Sequence, residues 1–419
     1  MSVTILLLQL IVILATARAC GWLLRHLGQP AVVGEMAAGL MLGPIVMGAL
    51  FPQWHAQLFA SASLAGLQSL ATLGLVLFMF VVGLELRSNH GVAAQLKAAG
   101  AVGVLSVAVP LVLGLAVSPL LHPHLVPAGV GFWPFAIYMA AALSITAFPV
   151  MARILKDRGL TQTSYGQLSM GAAAVVDVIA WILLAFVVAW MGAGEGTPGL
   201  VKTGGGVVGM LALLYFVIRP FFGWLLRKYA PDGEPSATVM AALMLGLLGC
   251  ALLTEWVGLH AVFGAFLFGA CLPRDDRLLD SLAPRIEPLS IVVLMPLFFA
   301  LAGLSTTADA FVGGSLGLGL LVILVATVGK IVGGAAGARL SGYGWRDSLA
   351  TGSLMNARGL MELIVMKIGL DAGLIGAELF TILLVMALVT TAMTGPLLSL
   401  SIGRRASSAQ QPQAGECRP

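Results

Sequence analysis

The sequence predicts an all-α polytopic membrane protein of about 13 transmembrane helices. Three observations carry that prediction. Hydrophobic residues make up 59% of the 419 and charged residues only 10%, with a mean hydropathy of +1.01, whereas a soluble domain carries about 25% charge. The apolar residues gather into runs near the roughly 20 residues needed to cross a hydrocarbon core. The basic residues alternate between the loops that separate those runs.

The runs lie at 4-25, 30-50, 66-87, 98-120, 132-156, 164-192, 203-228, 236-255, 257-273, 286-304, 313-339, 346-370 and 377-402. In the first, Ala15-Thr16-Ala17 mimics a signal-peptidase site, but no Lys or Arg precedes the apolar stretch and Arg18 follows it. It reads as a retained helix. Loops after odd-numbered runs hold Arg25, Arg87 and Lys97, Lys156 and Arg158, Arg227 and Lys228, Arg274, Arg277 and Arg285, and Arg339 and Arg346, and the tail adds Arg404 and Arg405. Loops after even-numbered runs hold almost none, with Lys202 the main exception. That asymmetry predicts an outside amino terminus, a cytoplasmic carboxyl terminus and an odd number of crossings. The expected location is a bacterial inner (plasma) membrane.

Residues 1-402 read as one transmembrane domain and 403-419, rich in Gln, Ser and Ala, as a disordered cytoplasmic tail. No segment is long enough for a separate soluble domain, so any regulatory subunit is expected to be another chain. A six-plus-one-plus-six arrangement places the run at 203-228 as a linker between halves of opposite orientation.

Several chemistries find no support. Cys20, Cys250, Cys271 and Cys417 lack CxxC or CxxH spacing, which gives neither a disulfide framework nor a metal site. The six histidines lie mostly in loops or run ends without metal-ligand spacing. Gly204, Gly206 and Gly209 match GxGxxG formally but follow no strand. No Walker motif occurs, and the basic residues behind a pI of about 9.0 are spread through loops rather than gathered as a nucleic-acid patch would require. The chain therefore reads as neither an enzyme nor a nucleic-acid binder, with no cofactor.

Two runs are interrupted in corresponding places. In the fifth, Ser144-Ile145-Thr146-Ala147-Phe148-Pro149 puts hydroxyl groups and Pro149 at mid-membrane; in the twelfth, Asn356-Ala357-Arg358-Gly359 does the same with a polar cluster and Gly359. Each is the penultimate run of its six-run half. Proline removes a backbone donor and frees carbonyls that can face a polar cavity, and paired broken helices point to a transporter's substrate site.

Charge at depth completes the constellation. With a rise of roughly 1.5 Å per residue, Asp177 lies about 20 Å from the start of its run and Lys330 about 14 Å from the end of the eleventh. An acid at that depth costs roughly 2.5 to 3.5 kcal/mol to insert and by default binds an ion or a proton. Lys330 has no charged partner within four residues on its own helix, so its expected partner is an acid on another run or the negative end of a half-helix. Arg358 can pair with Glu362 four residues on or act directly at the site. Gly329, Gly333 and Gly337 form a small-residue stripe beside Lys330, as Ala172, Ala173 and Ala174 do before Asp177, and such faces let backbones approach closely.

The segment SITAFPVMARILKDRGLTQTSYGQLSMGAAAVVDVIAW from Ser144 resembles the fifth and sixth spans of the monovalent cation:proton antiporter-2 family, especially the plant-type cation/proton exchangers and Kef-type membrane domains. QPAVVGEMAAGLMLGP from Gln29, FMFVVGLELR from Phe78, GLHAVFGAFLFGACLPR from Gly258 and LMNARGLMELIV from Leu354 extend the match in order along nearly the whole chain. The resemblance implies a homodimer of thirteen-span subunits, with scaffold and mobile core subdomains interleaved in sequence and inverted repeats whose two interrupted helices cross. It maps the family's ion-binding carboxylate onto Asp177, the hydroxyl at the first break onto Thr146, with Ser144 beside it, and the core lysine onto Lys330; Lys330 and Arg358 would balance charge in the core. Relatives commonly carry Asn, Asp or Gln before the key aspartate, where this sequence has Val176. One acid would then carry both substrates, which points to electroneutral exchange of K⁺ or Na⁺ for protons. A cation channel and a proton-coupled carrier of a small organic solute are the alternatives.

Overall fold

In lipid a backbone can satisfy its polar groups within one segment only as a helix, and every regular element among the described residues is helical. The computed structural model describes residues 3–60, 63–85, 92–192, 205–206, 208–257, 260–273 and 276–402. Arg87, Lys202, Gly204, Arg274, Arg404, Arg405, Cys417 and the rest of the 403-419 tail lie outside the described residues.

The first half comprises α1 (Val3–His26), α2 (Ala31–Leu42, continued by a π-turn at Pro44–Gly48), the short α3 (Pro52–Leu58), α4 (Leu64–Glu85), α5 (Val92–Leu125), α6 (Phe132–Ser144), α7 (Phe148–Asp157) and α8 (Ser164–Gly192). After a π-turn at Leu214–Ile218 come α9 (Arg219–Tyr229), α10 (Ala237–Val257), α11 (Ala261–Cys271), α12 (Asp276–Glu287), a π-turn at Pro288–Leu294 and α13 (Met295–Leu304). The chain closes with α14 (Gly314–Leu340), α15 (Trp345–Met355), α16 (Leu360–Asp371) and α17 (Ala377–Ile402). Nine helical segments among the described residues are long and apolar enough to cross a membrane, and α6 and α11 are shorter apolar helices. The count falls below thirteen because the fifth and twelfth runs are each divided in two and others are short or only partly described.

Packing sorts these helices into two bundles. One contains α1, α2, α4 and α10 to α13; the other contains α5 to α8 and α14 to α17, and α2 against α17 is the main helix contact between them. Glycine sets the closest approaches. In the first bundle Gly39 on α2 and Gly303 on α13 meet backbone to backbone, and a Cβ on either would overlap a carbonyl oxygen of the other helix. In the second, the expected stripe on α14 lies along α5: a Cβ on Gly329 would sit 3.1 Å from the Pro110 Cα, and one on Gly337 2.5 Å from the Val102 Cα. That contact fixes the rotation of α14 and sends Lys330, one residue on, into the middle of the bundle, where it is fully buried.

Candidate functional site: two interrupted helices and a buried acid

The fifth run breaks between Ser144 and Phe148 because Pro149 takes the second position of α7. There its missing N–H belongs to the unpaired first turn and costs nothing, whereas inside a continuous helix it would remove a hydrogen bond and clash with the preceding turn. Residues 145 to 147 lie outside both helices, with Ile145 extended. The twelfth run breaks at Asn356, which closes α15, and resumes at Gly359, which opens α16. Gly359 is required by proximity, since a Cβ there would fall 2.5 Å from Val150 Cγ2 and 3.3 Å from the Ala147 Cβ.

These two gaps touch each other. The Ala147 N–H donates to the Ala357 carbonyl at 3.1 Å, and the Thr146 hydroxyl donates to the Met355 carbonyl at 3.0 Å. Four half-helices thus point their ends at one small buried volume. Helix ends carry partial charge, positive at the start and negative at the finish, and each end here meets a complementary group.

At the finish of α6, three carbonyls that have no partner in their own helix are taken by cations from elsewhere. Arg358 reaches the Ala142 oxygen at 3.3 Å and the Leu143 oxygen at 2.9 Å, and the Lys330 ammonium donates to the Ser144 oxygen. Lys330 also donates to the Thr146 hydroxyl at 2.6 Å. Of the two partners expected for Lys330, the structure supplies the half-helix end; no ion pair within 4.0 Å joins it to Asp177, although the two charges lie close enough to interact.

Arg358 makes its expected i+4 ion pair with Glu362 at 2.6 Å, with both side chains buried. Arg358 thus ties Glu362 to the end of α6. Its backbone N–H donates to the Thr391 hydroxyl on α17 at 2.9 Å, and that hydroxyl returns a bond to the Arg358 carbonyl at 2.8 Å. Asn356 is fixed similarly, its amide donating to the Thr390 carbonyl at 3.0 Å. The sequence marks Thr390 and Thr391 only as adjacent hydroxyl residues in the apolar α17.

Asp177 stands opposite this cationic cluster, 1% exposed on α8. The backbone N–H of Phe148, at the positive start of α7, lies close enough to act on its carboxylate, while Oδ1 has no hydrogen-bond partner. Val176 beside it is buried and offers no polar atom. Ser144 and Thr146 do reach the same region, but in this conformation both hydroxyls are engaged. Ser144 Oγ bonds the Ala140 and Val107 carbonyls at 2.6 and 3.2 Å, so Ser144 meets Lys330 through its backbone oxygen, and Thr146 holds Lys330 and Met355. Among the described residues no cluster of His, Cys, Asp and Glu is arranged to hold a metal ion.

Two touching helix breaks with a buried acid left partly unpaired and compensating cations constitute the architecture of a secondary transporter. The chain belongs to the sodium/hydrogen exchanger family, whose transmembrane model matches residues 11–400. It is 37% identical over 399 residues to the Na(+)/H(+) antiporter NhaS4 of Synechocystis, covering 95% of this chain and 97% of that one. It is also 37% identical to Cation/H(+) antiporter 17 of Arabidopsis thaliana and 33% identical to K(+)/H(+) antiporter 1 of Saccharomyces cerevisiae, but spans only 48% and 43% of their lengths. The structure of the sodium proton antiporter MjNhaP1 from Methanocaldococcus jannaschii shares the fold, with a TM-score of 0.62 over 95% of this chain and all of that one at 15% identity.

Proposed function

We propose that the protein exchanges a monovalent cation, Na⁺ or K⁺, for protons across a membrane by alternating access around Asp177. The observation that carries this reading is the buried Oδ1 of Asp177, which has no protein partner while the nearest lysine is committed to Ser144 and Thr146. A buried carboxylate left so is stabilised by a proton or by a cation, and the two compete for it. Na⁺/H⁺ and K⁺/H⁺ exchange are the activities named for the relatives in Synechocystis and yeast.

In the exchange cycle the cation binds Asp177 on one side of the membrane, with oxygens at the breaks completing its shell. Thr146 joins that shell when Lys330 moves from its hydroxyl to the helix end alone. Movement of the second bundle against the first carries the site to the other face, where a proton replaces the cation. Because Val176 supplies no second acid, one proton exchanges for one cation and the cycle moves no net charge. Thirteen crossings, an outside amino terminus, a homodimer built on the first bundle and a bacterial inner membrane complete the proposal.

Exchange in proteoliposomes, comparing K⁺, Na⁺ and Li⁺ with and without a membrane potential, tests this. An imposed pH gradient should drive cation accumulation against its own gradient, independently of potential, and Asp177→Asn should abolish it. Exchange that survives Asp177→Asn with its pH dependence intact sinks the reading. A channel would give no accumulation, and a solute carrier would ignore the cations.

A further inference from the structure

Arg158 counts in the sequence only as one basic residue of a loop, but its guanidinium is bound to a specific place on α17. It stands just past Asp157, the last residue of α7, where Gly159 takes the left-handed region at φ 66° and the Leu160 N–H returns to the Leu155 carbonyl at 2.8 Å. Such a turn closes a helix sharply. From there Nη1 of Arg158 donates to the Gly395 carbonyl at 3.1 Å and to the Ser399 hydroxyl at 2.9 Å. Glycine is required at that contact, since a Cβ on Gly395 would fall 2.5 Å from Nη2 of Arg158.

Thr391, Gly395 and Ser399 follow one another at four-residue intervals and so share one face of α17. The first of them accepts the Arg358 N–H and returns a bond to the Arg358 carbonyl in the second break. The other two hold Arg158. One face of one helix therefore grips both the second break and the far end of α7. The near end of α7 is the first break, where the Ala147 N–H meets the Ala357 carbonyl and Val150 packs on Gly359. With ten residues α7 is a rod of about 15 Å, so a shift of its far end is a shift of its start. That start includes the Phe148 N–H beside Asp177.

We propose that Arg158 is a positioning residue for the cation at Asp177, holding α7 on α17 so that the oxygens of the first break stay in register with the second. This rests on the antiport reading above. The shared face on α17 keeps the two half-helices at one spacing while the second bundle moves. A misplacement of roughly 1 Å caused far from a site can cost about a hundred-fold in its performance.

The test is exchange by the full chain in proteoliposomes, with Na⁺ and K⁺ each varied to give a KM and a maximal rate, and with the wild type and Asp177→Asn alongside. Arg158→Gln removes the charge and its planar fork, whereas Gly395→Ala leaves the charge present and only pushes it aside. Both should raise the cation KM about ten-fold, the scale of a typical coupling between linked sites, with a smaller change in maximal rate. Arg158→Lys keeps the charge without the fork and should recover part of the loss. The double variant Arg158→Gln/Gly395→Ala should be no worse than Arg158→Gln, because the added Cβ no longer meets a guanidinium. Where Arg158→Gln does not fold, Ser399→Ala, at an exposed position, removes one of the two acceptors and should still raise KM. Wild-type KM values in these variants, whether or not the melting temperature falls, would overturn the proposal, as would a double variant whose loss is the product of the two singles. A wild type that does not exchange would instead fault the antiport reading, and this role with it.

Discussion

Lys330 and Thr146 are joined at 2.6 Å, so of the two partners expected for the lysine, an acid on another run or the end of a half-helix, it meets the half-helix end. The same ammonium covers the Ser144 carbonyl. The negative end of α6 and the hydroxyl beside it thus have one cation in common, and its loss would expose both. The strength of this arrangement comes from burial, since an unpaired polar group in a dry interior cannot turn to water.

Lys330→Ala should lower stability as well as exchange. It leaves the Ser144 carbonyl without its donor, takes one of two partners from the Thr146 hydroxyl and removes a packed stem, at about 1–3 kcal/mol for an orphaned group. A thermal melt of the purified protein that matches the wild type would argue against the structural half of this role.

Glu362→Gln should be more harmful than loss of the pair as a whole. It strands the buried Arg358 guanidinium, which costs about 3–5 kcal/mol in comparable cases, whereas the double variant Arg358→Met/Glu362→Leu removes both charges and should recover part of that loss. Chemical denaturation of the wild type and the two variants would show this, and a double variant less stable than Glu362→Gln contradicts it.

Gly359→Ala should impair exchange in a folded protein. The added Cβ would press on Val150 and Ala147, separating the two breaks and weakening the Ala147 to Ala357 hydrogen bond. A cation KM and a maximal rate both unchanged from wild type would show that the breaks need not touch.

Thr391→Val should cost about 1 kcal/mol, the usual scale for a lost helix cap, because it removes the acceptor for the Arg358 N–H. Thr391→Ser keeps that hydroxyl and should restore the melting temperature. Equal melting of the Val and Ser variants would exclude the capping role.

Much of the fold is legible in the sequence for one physical reason: lipid forces every apolar run to close its own backbone hydrogen bonds. The breaks are legible for a related reason, because Pro149 and Gly359 cannot be placed there without consequence for the helix. The depth of Asp177 and Lys330 follows from counting residues along a helix of fixed rise. Glu362 as the partner of Arg358 follows from i+4 geometry alone.

What required the tertiary structure is which end meets which group. Residue order does not say that Arg358 on α16 would reach back to Ala142 and Leu143 on α6, some two hundred positions earlier. Nor does it say that Thr146 would be occupied by Lys330, that Ser144 would act through its carbonyl, or that Thr391 would cap a break in another helix. The sequence by itself determined the helices, their interruptions and the depth of the acid, all properties of one segment in lipid. Only the tertiary structure decided the partners, since a partial charge at a helix end is satisfied by whatever the rest of the chain brings within about 3 Å of it.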